Sequence, residues 1–249
     1  KFNPKVEFLV DISSLDDMSF IREDDSLIRI GAATTHANLA ESSIVQQYAP
    51  FLCKASGSVG SPQTRNRGTV GGNVITAAQC ADTIPPLLVL DAVLVFENSA
   101  GSREISLESF CSAGDEDGSI QPDEILSEIY FKKPDSQAKS VFDKLIRRKA
   151  IAKSRISFCA LAVQDSAARI TDIRIVPGAV TPFHMRFREI EKMLKNQIPD
   201  KTLIKKAAEK ISSEMISITG KRWSTPYKGP VLGIMAERGL ITILEVGDE

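Results

Sequence analysis

Apolar residues fall in short blocks separated by polar turns, and the block lengths already separate strands from helices. Phe8 to Ile12 is a compact apolar run and predicts a short buried strand. Leu27 to Ala32 predicts another, with Asp24-Asp25 as the turn before it. Thr34-Thr35 offers an N-cap for a helix from His36 to Ala40. Ser42 or Ser43 caps a second helix running into Tyr48, and Pro50 restarts the chain for a helix over Phe51–Ser56 that ends at Gly57. A glycine-rich loop follows. Pro85-Pro86 opens a helix continued by Leu87, Leu88 and Leu90. Val93 to Phe96 predicts a strand, 99–102 a hairpin turn, Glu104 to Leu107 the return strand, and Ile125 to Phe131 a further strand.

The polar, proline-bearing stretch 132–137 is the best boundary between domains, placed at 1–133 and 138–249. Beyond it come strand-like runs at Ser157–Gln164 and Arg169–Val176, then helical patterns at Arg186–Asn196 and Lys201–Ser213. Val231–Leu244 contains two glycines and is expected to be the least regular helix. Strands mixed with helices, without regular βαβ alternation, point to an α+β fold.

Bulk properties narrow the function. A 43% hydrophobic content supports real cores in a chain of 249 residues. The formal charge is −1, from 31 basic and 32 acidic side chains, which argues against nucleic acid or an anionic membrane as main partner. No apolar run approaches the roughly 20 residues needed to span a bilayer, and no secretory signal opens the chain. Cys53, Cys80, Cys111 and Cys159 form no C-x-x-C pair, so separate reduced thiols in a cytoplasmic protein are expected rather than a metal site.

The segment Arg65-Asn66-Arg67-Gly68-Thr69-Val70-Gly71-Gly72-Asn73 carries the most chemical information. It matches neither a P-loop nor a G-x-G-x-x-G fingerprint. On the residues alone it is an ordinary tight turn or a nest of backbone amides for a phosphate.

Its surroundings carry a resemblance. Leu9-Val10-Asp11-Ile12, Ile30-Gly31-Ala32-Ala33-Thr34-Thr35-His36, the run from Gly60 to Asn73, Ala81-Asp82 through Leu90-Asp91-Ala92, Pro122-Asp123-Glu124-Ile125-Leu126 and Phe142-Asp143-Lys144-Leu145-Ile146-Arg147-Arg148 follow in order. Together they resemble the FAD-binding subunit, or middle domain, of the xanthine dehydrogenase and carbon monoxide dehydrogenase family of molybdenum hydroxylases. The resemblance covers essentially the whole chain and is most specific from Gly60 to Ala92; past Met185 it is weak.

The resemblance implies an FAD-binding domain of the vanillyl-alcohol-oxidase (p-cresol methylhydroxylase) type, then a C-terminal domain of a small antiparallel sheet packed on helices. It implies that Thr69, Val70, Gly71, Gly72 and Asn73 line the FAD diphosphate and that Gly60 sits against the cofactor. It places Asp82 on the ribityl or ribose hydroxyls, Leu126 at the flavin or adenine edge, and Lys144 near the isoalloxazine. No side chain is expected to act as an acid or base catalyst, and no metal site is expected. The implied function is electron transfer from [2Fe–2S] clusters to NAD or another acceptor, with a molybdopterin-containing large subunit and a [2Fe–2S] small subunit as partners. The alternative is a non-catalytic nucleotide-binding or scaffold subunit.

Three features depart from the family pattern, one of them Lys228-Gly229-Pro230, which is expected to interrupt the approach to the final helix. The first flavin loop, a Gly-Gly-Thr turn before the strand at Leu9, is expected upstream of Lys1. No Asp follows the Arg147-Arg148 pair. His36 and His184 lack ligand partners at metal spacing and read as structural. Arg147-Arg148-Lys149 reads equally as a phosphate or partner patch and as a solvated cluster; Trp223 reads equally as an interface anchor and as core.

Overall fold

A computed structural model describes residues 8–113, 120–148 and 153–247. The first half is a five-stranded antiparallel sheet dressed with short helices. After a 3-10 turn at Asp16–Met18, β1 (Ile21–Asp24) and β2 (Leu27–Gly31) form a hairpin through Asp25, which takes a φ of 37°. Three helices follow: α1 (His36–Glu41), α2 (Ser43–Tyr48) and α3 (Pro50–Gly57). Their starts are where cap chemistry puts them. Thr35 accepts from the Asn38 amide, Ser42 from the Val45 amide, and Pro50 occupies the first turn of α3.

Two more helices, α4 (Pro62–Arg67) and α5 (Val70–Thr76), stand where the sequence suggested a loop. Ser61 caps α4 by accepting from the Thr64 amide, and Thr69 caps α5 by accepting from the Gly72 amide. Those caps and the tertiary bonds of α5 offset the cost of two glycines, about 1 kcal/mol each relative to alanine. Then come α6 (Ile84–Val89), the hairpin β3 (Val93–Asn98) and β4 (Gly101–Ser106), α7 (Leu107–Ala113) and β5 (Ile125–Lys132). The sheet order is β1-β2-β5-β3-β4.

The second half is a three-stranded antiparallel sheet in the order β6-β7-β8, with β6 (Lys139–Leu145), β7 (Ile156–Gln164) and β8 (Ile170–Gly178). It is covered by α8 (Arg188–Leu194), α9 (Lys201–Thr219) and α10 (Thr225–Leu244). β7 is buried on both faces. Cys159 and Leu161 point into the core of the first half, while Phe158, Ala160 and Ala162 join the core beneath α9 and α10. The period-2 alternation of a strand sends its residues to two different cores. That is why β7 reads as one continuous apolar run rather than an alternating one.

Two expectations are corrected, and one strand is added. Residues 8–12 form no strand: Phe8, Leu9 and Val10 are 83%, 93% and 82% exposed, and no neighbouring strand supplies a ladder. The last helix begins earlier than expected: it runs from Thr225 to Leu244 through Lys228-Gly229-Pro230, with Pro230 inside it, and of its glycines Gly239 is the point of close approach, where a Cβ would lie 2.7 Å from the Phe158 ring. β6 was not visible in the sequence because only Phe142 of its residues is buried, so no alternation shows.

The first glycine of α5, Gly71, packs in the same way. A Cβ on Gly71 would lie 2.6 Å from both the Cβ and the carbonyl oxygen of Ala32. Gly71→Ala should therefore destabilise the protein by about 1–3 kcal/mol through overpacking, measured as a lower urea midpoint at unchanged slope.

Candidate functional site

The site is built where two sequence segments lie side by side. The stretch leaving β2 runs next to the start of α5, with an antiparallel bridge between Thr35 and Thr69. The His36 amide donates to the Gly68 carbonyl, the Val70 amide to the Thr34 carbonyl and the Gly71 amide to the Ala32 carbonyl, each at 2.9 Å. The Gly72 amide donates to Thr69 Oγ1 at 3.0 Å. The amides of the first turn of α5 are thus bonded within the chain rather than splayed as an open nest. Gly71 is small because Ala32 abuts it. Gly72 differs: the only atom near its missing Cβ is Thr69 Oγ1, at 3.1 Å.

α5 separates two clefts. The smaller, about 340 Å³, is lined by Thr69, Gly71, Gly72 and Leu126, with Ala32 and Ile75 among its apolar walls. The larger, about 850 Å³, contains Gly60, Asn73 and Asp82, and its rim carries Arg147, Arg148, Lys153 and Arg155. Lys149 lies outside the described residues. Val70 reaches neither cleft; it is fully buried in the core. Gly60 sits at a φ of +47°, which favours glycine and turns the chain into the cleft wall. Asn73 Oδ1 accepts from Thr83 Oγ1 at 2.7 Å, so the carboxamide keeps its Nδ2 as donor.

Beneath the larger cleft lies a buried polar cluster that joins the two halves. Lys144 of β6 donates from Nζ to Asp82 Oδ2 at 2.5 Å and to the Ser58 carbonyl at 2.9 Å. Ser154 donates to Asp82 Oδ1. Burial pushes the Asp82 carboxyl above the usual carboxylate range, while its bonds to Lys144 and Ser154 pull the other way. Lys144 is therefore the partner of Asp82 and not a free cation at the cleft surface. Nothing in the sequence marked Ser154 or Ser58 for this cluster; both enter only through the pairing of β6 with β7 and the turn after α3.

Both histidines serve the scaffold. His184 Nε2 lies 2.9 Å from the Ala78 carbonyl and tethers the second half to the cleft wall. His36 is buried with Nδ1 unpartnered, and burial, helped by Arg65, pulls its pKa down to about 4. Burial lifts the Cys53 and Cys111 thiols to about 11 and about 12, and Cys159 is wholly buried and raised as well. These thiols are inert at neutral pH. Among the described residues no cysteine is bridged and no His, Cys, Asp and Glu cluster could hold a metal.

Comparison with known proteins agrees with this geometry. Residues 1–133 match the FAD binding domain in molybdopterin dehydrogenase, and residues 142–243 match the CO dehydrogenase flavoprotein C-terminal domain. The chain belongs to this family of FAD-binding dehydrogenase subunits. It is 32% identical over 195 residues to the nicotinate dehydrogenase FAD-subunit of Eubacterium barkeri, covering 76% of this chain and 65% of that one. It is 30% identical over 238 residues to the 6-hydroxypseudooxynicotine dehydrogenase complex subunit alpha of Paenarthrobacter nicotinovorans, covering 95% and 79%. The carbon monoxide dehydrogenase of Hydrogenophaga pseudoflava that lacks the Mo-pyranopterin moiety superposes with a TM-score of 0.82 at 24% identity, over 92% of this chain and 79% of that one. Among the described residues no helix is long and apolar enough to cross a membrane.

FAD fits the residues present. It is long, with a flat apolar ring system at one end and a charged diphosphate at its middle. The two clefts flanking α5, one apolar and one rimmed with cations, offer complementary surfaces, and the open side of Gly72 leaves space for close approach.

Two measurements follow. Lys144→Met leaves a buried carboxylate without its cation, a change that typically costs 3–5 kcal/mol. A folded-state pKa raised above the unfolded 3.8 means the native protein holds the extra proton, so the variant should lose stability as pH rises above about 4. Urea melts at pH 4.5 and 8 should show this, and adding Asp82→Asn should restore most of the loss. His36 behaves oppositely. Its folded pKa near 4 lies below the ordinary 6.5, so the unfolded chain takes the proton first and stability falls as pH drops through that window, by up to about 3 kcal/mol. His36→Gln should flatten that acid limb of the stability curve.

Proposed function

We propose that this chain is the FAD-carrying electron-transfer subunit of a molybdenum hydroxylase. Electrons would arrive from an iron–sulfur subunit fed by a molybdopterin-containing subunit, and would leave to NAD or another acceptor. The whole arrangement would work in the cytoplasm, where unpaired thiols persist. The observation that carries the reading is the pair of clefts on the two faces of α5, with Gly72 open on one and Asn73 and Asp82 on the other.

Bound FAD supplies the chemistry, since a flavin exchanges electrons singly or in pairs. The chain's own residues bind, orient and tune. In this reading Gly72 admits close approach, and Asn73 Nδ2 and Thr69 offer polar contacts to the diphosphate. Leu126 closes the apolar edge, while Gly60 and Asp82 line the larger cleft. Lys144 holds the Asp82 carboxylate in place. Val70 acts indirectly, by anchoring α5 in the core. No acid–base group is required. The two halves would be an FAD domain at 1–133 and a C-terminal domain at 138–249, with Lys144 and Ser154 of the second completing the floor of the first.

The alternative is a scaffold subunit that binds a nucleotide but passes no electrons. The purified complex distinguishes them. Flavin absorbance that bleaches under substrate and recovers with acceptor supports electron transfer; bound flavin that never bleaches supports the scaffold reading.

Adjacent glycines give a sharper test of the site. Gly72→Ala should change folding stability by no more than about 1 kcal/mol, because the better helix propensity of alanine is set against a methyl pressed on Thr69 Oγ1. It should weaken FAD binding at least about tenfold, because the added methyl projects toward the cofactor. Equilibrium dialysis of FAD alongside a urea melt reads both. Unchanged FAD affinity would remove Gly72 from the site.

A further inference from the structure

Among the described residues nothing covers the outer face of α10. Tyr227, Pro230 and Ile234 follow at spacings of three and four, which places them on one side of α10, and Trp223 lies in the turn just before its N-cap Ser224. Trp223 is 89% exposed, Ile234 57% and Tyr227 49%. The opposite face of α10, through Leu232, Ala236 and Leu240, is buried in the core. Apolar side chains at helical spacing on a solvent face are the pattern of a surface awaiting a partner. Trp and Tyr are the residue types that anchor such contacts.

Charge identifies the partner. From Glu214 to Glu237 the intervening chain carries Lys221, Arg222 and Lys228 and no carboxylate. Lys228 donates from Nζ to the Ala179 carbonyl at 2.8 Å, and burial, with the cations Arg155 and Arg222, lowers its pKa. No salt bridge among the described residues joins Lys221, Arg222, Lys228 or Arg155 to a carboxylate. Like charges held together without counterions attract an anionic surface. Arg155 also lines the larger cleft, so the patch runs to the edge of the flavin site.

We propose that the start of α10, with Trp223 and Tyr227 at its centre and Lys221, Arg222 and Lys228 around them, docks an acidic iron–sulfur protein. The identity of this partner as electron donor rests on the function proposed above. A second copy of this chain fits poorly, because a two-fold contact centred on Trp223 would bring the same cations face to face. A lipid surface fits poorly as well. The stripe is short, and the helix is fixed in the fold along its other face, so little apolar area could enter a bilayer.

The test uses the native complex, purified through this chain from its own host. A zero-length carbodiimide joins an amine to a carboxylate only where the two touch. Lys221 and Lys228 are expected in cross-links to Asp or Glu of an iron–sulfur polypeptide. Trp223, the single tryptophan of this chain, should resist hydroxyl-radical oxidation in the complex and not in the isolated chain. The pairs Trp223→Ser with Tyr227→Ser, and Lys221→Glu with Arg222→Glu, should each weaken retention of that polypeptide at least about tenfold. All four positions are exposed, so circular dichroism and bound FAD should stay unchanged.

Several outcomes overturn the proposal. They are cross-links leading only to another copy of this chain, equal oxidation of Trp223 bound and free, undiminished retention in both variants, or co-sedimentation of the isolated chain with phosphatidylserine vesicles through Trp223. FAD content separates the two readings. A chain that binds no FAD, yet loses the iron–sulfur polypeptide on charge reversal, refutes the electron-transfer function and upholds the docking surface.

Discussion

The double burial of β7 is the constraint on which the molecule depends. One strand supplies Cys159 and Leu161 to the first core and Phe158, Ala160 and Ala162 to the second. Most two-domain chains meet across a polar interface that can slide. Here the meeting surface is a sheet face packed like an interior, so the halves are held in one register. Arg186 strengthens the junction: it is buried, holds Glu191 through two nitrogens, and reaches Asp91 of the first half. Glu191 in turn accepts from the Ile175 amide of β8 at 2.8 Å. A fixed register is what allows Lys144 and Ser154, from the second half, to converge on Asp82 from the first.

That convergence changes how the charges of the larger cleft should be counted. Lys144 and Asp82 cancel below the surface. The positive field of the rim then comes from Arg147, Lys153 and Arg155, on the segment between β6 and β7. A cationic rim over a flavin site favours whatever acquires negative charge there. Arg155 of that rim also acts on Lys228, so the cleft and the proposed docking face adjoin through one arginine.

Much of this was legible in the residues. The caps Thr35 and Ser42, the proline at the start of α3, the 99–102 turn and the strands β2, β3, β5, β7 and β8 follow from local rules. The block from Gly60 to Ala92 resembled the right family, and the matched domains agree. What stayed hidden depends on contacts distant in sequence. Nothing local tells Gly71 from Gly72, yet one packs on the backbone and side chain of Ala32 and the other meets only the hydroxyl of its own N-cap, Thr69. The glycine-rich stretch read as a loop because propensity counts glycines and not the bonds from Thr34 and Ala32 that hold α5. β6 was missed because a half-exposed strand carries no periodic signal. The pairing of Lys144 with Asp82 was hidden because it depends on the meeting of two domains.

The shared strand also bears on how the protein is made. The first half leaves the ribosome before residues 156–164 have emerged, and Leu87, Leu88 and Leu90 then belong to a core whose lid is not yet available. Domains that fold alone complete their cores as they emerge. This one must wait, with apolar surface showing, until β7 and β8 arrive to close it. Synthesis of the chain therefore passes through an aggregation-prone window, and the pace of translation through β7 and β8 becomes a determinant of yield.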